Sequence, residues 1–71
     1  MKVRVTFDVK AGMAYIYLVD AITPGEAVQQ VIADDDMAAV LDFDVDGRLL
    51  GVELSMDRLH PKLLGIAEQI G

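Results

Sequence analysis

Asp46-Gly47 stands between two runs in which apolar residues recur at every second position, and that arrangement constrains the fold more than any other feature of the chain. Before it, Ala39, Leu41, Phe43 and Val45 alternate with Val40, Asp42 and Asp44. A two-residue type I′ turn at Asp46-Gly47 sets Val45 opposite Arg48, Phe43 opposite Leu50, Leu41 opposite Val52 and Ala39 opposite Leu54. Those pairs share one largely apolar face. Asp44, Asp42 and Val40, opposite Leu49, Gly51 and Glu53, fall on the other, where the carboxylates are expected to meet water. A slip of one residue would send every side chain to the wrong face. Gly47 is then required for its access to positive φ.

The same twelve residues, DFDVDGRLLGVE from Asp42 to Glu53, also satisfy the calcium-loop formula D-x-[DN]-x-[DN]-G-x5-E. Asp42, Asp44 and Asp46 would supply oxygen ligands, Gly47 the sharp turn, Leu49 the aliphatic eighth position and Glu53 the bidentate carboxylate. That geometry needs a helix on each side of the loop, and both flanks have the period of two that belongs to strands. Along a strand, alternate carboxylates are spread about 6–7 Å apart, too far for three to share one ion. The hairpin is therefore the expectation, and a calcium-binding domain using Asp42, Asp44, Asp46 and Glu53 is the alternative. No cofactor is expected.

The remaining segments extend this β pattern. Val3, Val5 and Phe7 alternate with Lys2, Arg4 and Thr6, and a loop ending at Gly12 leads into a second strand from Met13 to Val19. A four-residue loop places Phe7, Val5 and Val3 on a face with Ala14, Ile16 and Leu18. Met13, Tyr15 and Tyr17 project from the opposite face beside Arg4 and Thr6, and a Tyr/Met surface suits a protein contact as well as it suits packing beneath a helix. Asp20–Gly25 reads as a connection, 26–33 as a third strand, and Asp34, Asp35 and Asp36 as a solvated acidic turn. Leu59, Leu63, Ile66, Ala67 and Ile70 recur at helical spacing, so a helix over about residues 61–70, begun by Pro61, is expected to cover the sheet. The expected fold is α+β but mostly β. It is a single domain in which an antiparallel meander of about four to five strands spans residues 2–54 and one C-terminal helix packs on it.

Composition narrows the function. A chain of 71 residues builds a small core, yet 54% of its residues are apolar and its mean hydropathy is +0.38. Domains of this size rarely obtain more than about 3–5 kcal/mol from a single core. With no cysteine for disulfides, a homodimer or higher homo-oligomer is the simplest remedy. A net charge of −6 opposes nucleic-acid binding and favours a small basic protein as partner. No apolar run reaches the 18 residues of a membrane span and no signal peptide is recognisable, which points to the cytoplasm. An enzyme is not expected: His60 is the sole histidine, Ser55 has no identifiable third group, and nothing resembles an oxyanion hole.

Two stretches, VTFDVKAGMAYIYL from Val5 to Leu18 and VLDFDVDGRLLGVEL from Val40 to Leu54, resemble the opening hairpin and the acidic strand, D-G turn and G-[IV]-E strand of the domain of unknown function 2283 family. Gly12 and Met13 depart from the alanine-aspartate pair that commonly precedes the family's tyrosine stretch. The resemblance implies a small bacterial β-rich protein with a terminal helix. It also implies a location beside toxin-like proteins in some genomes, hence an antitoxin-like or regulatory partner-binding role.

Overall fold

A computed structural model describes residues 3–34, 36 and 38–70. Lys2 of the expected first strand and Asp35 of the acidic turn lie outside the described residues. The first hairpin follows the sequence pattern throughout. Strand β1 (Arg4–Asp8) pairs antiparallel with β2 (Met13–Tyr17), with Val5 opposite Ile16 and Phe7 opposite Ala14. Asp8 Oδ1 accepts the N–H groups of Lys10 and Ala11, and Gly12 at φ 68° closes the loop. A side-chain acceptor and a left-handed glycine thus replace the ladder where the chain reverses.

Strand β3 is shorter than the expected 26–33, spanning Gln29–Ile32, because a turn occupies the residues before it. In that turn Glu26 Oε1 accepts the Thr23 N–H, the Glu26 N–H donates to the Thr23 carbonyl, and Gly25 takes φ 82°. Strands β4 (Ala39–Phe43) and β5 (Leu49–Ser55) form the second hairpin, and β3 lies antiparallel along the outer side of β4.

The strand order is β3-β4-β5-β2-β1, extended beyond β1 by a short parallel strand β6 (Glu68–Gln69), giving one mixed sheet of six strands. This corrects the meander expected from the sequence. The chain leaves β2, passes the end of the sheet and returns as the far edge strand, so β5 pairs with β2. The apolar faces explain the exchange. Ala14 and Ile16 meet Leu54 and Val52 directly, whereas β3, with the sequence QQVI and every residue exposed, supplies no face to cover β2.

The core gathers on one half of that sheet. Val5, Ala14 and Leu59 are buried together, with Val3, Phe7, Ile16, Leu54, Met56, Leu63 and Ala67 packed against them. Leu59, Leu63 and Ala67 therefore cover the sheet at the helical spacing read from the sequence. The continuous helix over 61–70 does not form. After a 3-10 turn at Met56–Arg58, helix α1 spans only Pro61–Leu64, with His60 Nδ1 accepting the Lys62 N–H at its start. Two more turn bonds, from Ile66 to Leu63 and from Ala67 to Leu64, lead out of it. The chain then straightens so that Glu68 and Gln69 pair with Thr6 and Phe7, and the Ile70 N–H donates to the Phe7 carbonyl at 2.8 Å. A ten-residue helix containing Gly65 is marginal, and the open edge of β1 offers the same backbone a ladder.

Candidate functional site

The face opposite the core carries the tyrosines and the acidic strand, and its registers bring them into rows. Arg4, Tyr17, Gly51, Asp42 and Gln30 lie side by side across five strands. Next to them run Thr6, Tyr15, Glu53, Val40 and Ile32. Tyr15 reaches diagonally from its own row into the other. A Cβ built on Gly51 would stand 2.5 Å from Tyr15 Cε1 and 2.7 Å from Tyr15 Oη, so the ring lies on the glycine. Beyond it the phenol donates to Asp42 Oδ2 at 2.6 Å, while Gln30 Nε2 donates to Asp42 Oδ1 at 3.0 Å. Side chains from β2, β3 and β4 are thus tied together across β5.

Asp42 is only 7% exposed and Asp44 only 8%, which corrects the expectation that both carboxylates face water. Buried carboxylates need donors on both oxygens, and each has found its own. Burial, followed by the hydrogen bond to the Asp42 carboxylate, pushes the Tyr15 phenol well above the ordinary tyrosine range.

Asp44 organises the turn. Its Oδ1 accepts the N–H groups of Asp46 at 3.0 Å and Arg48 at 2.9 Å, and its Oδ2 accepts from Arg48 Nε at 2.9 Å. The Arg48 N–H bond, aided by the Arg48 side chain and the Asp46 N–H, outweighs desolvation and holds the Asp44 carboxyl below the usual carboxylate range. The backbone bonds Asp44 N–H to Arg48 O and Gly47 N–H to Asp44 O enclose Val45, Asp46 and Gly47 as a three-residue loop. The two-residue type I′ turn is therefore corrected to a three-residue loop that ends on a left-handed glycine, with Gly47 at φ 76° as expected. Asp42 opposite Gly51 keeps the expected register, but Phe43 pairs with Leu49 and Leu50 becomes an extra, buried residue of β5. Val45, placed by the sequence on the apolar side, is instead 81% exposed at the loop tip.

The calcium-loop residues consequently sit in a hairpin with strands on both sides. Asp42 is engaged by Tyr15 and Gln30, Asp44 by the turn, and Asp46 by Arg48 Nη2 at 3.1 Å. Among the described residues, no group of three or more His, Cys, Asp or Glu side chains is placed to hold a metal ion. His60 is exposed and begins α1, and the Ser55 hydroxyl donates to Asp57.

Met13, Tyr15 and Tyr17 share a face as the sequence indicates, all three half-buried. The two tyrosine rings stand 4.7 Å apart at 53°, and the Arg4 guanidinium caps the Tyr17 ring at 3.9 Å. A shallow depression of about 260 Å³ opens beside Met13 and Tyr15, bordered by Thr6, Asp8, Glu53 and Ile70. The sequence reading missed the free side of β3, where Val28 is 58%, Val31 40% and Ile32 52% exposed. Its signal was the uncharged run AVQQVIA from Ala27 to Ala33, bare of the charges or prolines that usually guard an edge. No helix among the described residues is long and apolar enough to cross a membrane. Compared with protein-family models, with curated proteins and with solved structures, the chain matches none.

Proposed function

We propose that this chain is a small protein-interaction module that works as a homo-oligomer and offers its tyrosine face to a further protein. The observation that carries the reading is where the apolar side chains end up. Among the described residues nine large aliphatic side chains are exposed, against five apolar residues that are buried. One copy therefore leaves a substantial apolar surface in water, and association is the direct way to cover it.

Met13 and Tyr17, with the aromatic edge of Tyr15, form the surface proposed for the further partner, where the adjacent depression would receive a side chain. A net charge of −6 favours a small basic protein there. The resemblance to the domain of unknown function 2283 family suits the same role, that of an antitoxin-like or regulatory partner-binding protein. Sedimentation equilibrium at micromolar concentration tests the oligomeric part. The expected mass is at least twice 7.7 kDa, and a folded monomer persisting across the concentration range would overturn it.

A further inference from the structure

The ladder between β3 and β4 determines which backbone groups of β3 are free. The Ala33 N–H donates to the Ala39 carbonyl at 2.9 Å, and alternation along an antiparallel pair then directs Val31 toward Leu41 of β4. The N–H and C=O groups of Gln30 and Ile32 therefore point away from β4, off the edge of the sheet. The side chains flanking this edge are apolar on both faces, with Val31 on one and Ile32 on the other.

We infer that a second copy of this chain pairs with that edge, β3 against β3 in antiparallel register about a two-fold axis at Val31, making one continuous sheet of twelve strands. The inference rests on the homo-oligomeric reading and specifies its interface. In this register Gln30 of one copy faces Ile32 of the second copy, so each outward-directed pair exchanges both backbone bonds, and Val31 meets itself as a non-hydrogen-bonded pair. Neighbouring two-fold registers fit less well. Centring on Gln30 would require Val28, whose N–H already donates to Phe43. Centring on Ile32 would bring in Asp34, whose carboxylate is held by Arg58.

Charge favours this edge over the opposite one. Two copies at −6 each repel, and β3, which lies within the uncharged run Ala27–Ala33, lets two edges meet without setting further like charges against each other. At about 3.3 Å per residue the four residues of β3 offer an edge about 13 Å long. The opposite edge, β6, has two residues, one of them Glu68. Edge pairing of this kind obtains affinity from main-chain bonds and specificity from the alternate side chains.

The absence of cysteine makes the register testable in the full chain. Val31→Cys places two thiols on residues whose Cα atoms are about 4.5 Å apart in a non-hydrogen-bonded pair, within the range a disulfide accepts. Mild oxidation is expected to give a covalent dimer, while Gln69→Cys on the opposite edge gives none. Ile32→Lys is expected to reduce the solution mass to that of a monomer with unchanged far-ultraviolet circular dichroism. A wild-type oligomer that survives Ile32→Lys and yields no Val31→Cys cross-link would overturn this interface, leaving the oligomeric reading to another surface such as the tyrosine face. A wild-type chain that is monomeric at all concentrations would overturn the oligomeric reading itself.

Discussion

Gly51 shows how one residue can be chosen by another three strands of sequence away. It pairs with Tyr17 on one side and Asp42 on the other, and the Tyr15 ring occupies the space above it. A methyl group there meets the ring at 2.5 Å and the Ile16 carbonyl oxygen at 2.7 Å, the second of which is backbone and cannot rotate aside. Gly51→Ala is therefore expected to destabilise the fold by about 1–3 kcal/mol. For a domain of this size each kcal/mol lowers Tm by about 4–8 °C, so a thermal melt resolves it. A variant melting within a degree of the wild type would show that the tyrosine does not need the glycine. Nothing in the sequence flagged this pairing, because Gly51 and Tyr15 are brought together only once β5 is known to lie against β2.

The two hairpins were legible in the sequence to different depths, and Asp44 accounts for the difference. In the first, alternation and loop length agree, and every pair from Arg4 opposite Tyr17 to Asp8 opposite Met13 follows. In the second, Asp46-Gly47 signals a two-residue turn, but Asp44 can draw two backbone N–H groups to its carboxylate only if the loop has three residues. The carboxylate prevailed, the register shifted by one beyond Asp42, and Leu50 was absorbed as a bulge. Its bonding has a consequence for pH. Because the folded-state pKa of Asp44 lies below its ordinary value, its contribution is complete above the ordinary carboxylate range near 4 and is lost as pH falls through the lower folded-state value. Asp44→Asn keeps the acceptor and removes the charge. The variant is expected to melt below the wild type at neutral pH, with the gap closing as pH falls below about 4. A gap of constant size down the acid limb would assign the effect to shape instead of charge. The terminal segment was misread for a related reason. Leu59, Leu63 and Ala67 do face the core at helical spacing, but periodicity cannot report that β1 has an open edge nearby, and Glu68 and Gln69 answer that edge.

At the scale of the molecule, the sheet is finished on one side and open on the other. The segment from Met56 to Ala67 covers the β1–β2–β5 half, and β6 closes the edge of β1. At the far edge β3 keeps exposed Val31 and Ile32 and backbone groups directed outward. Three of the nine exposed aliphatic side chains, Val28, Val31 and Ile32, thus gather along or beside this edge, and the account places a second copy against it. Amide hydrogen exchange measured residue by residue across a dilution series tests this most directly, because the Gln30 and Ile32 N–H groups are directed away from β4 within one copy and acquire acceptors only when β3 is paired on its outer side. Their protection is expected to rise with protein concentration, while amides of the β2–β5 ladder stay protected throughout. Free exchange at Gln30 and Ile32 at every concentration, with the β2–β5 ladder still protected, would contradict the account.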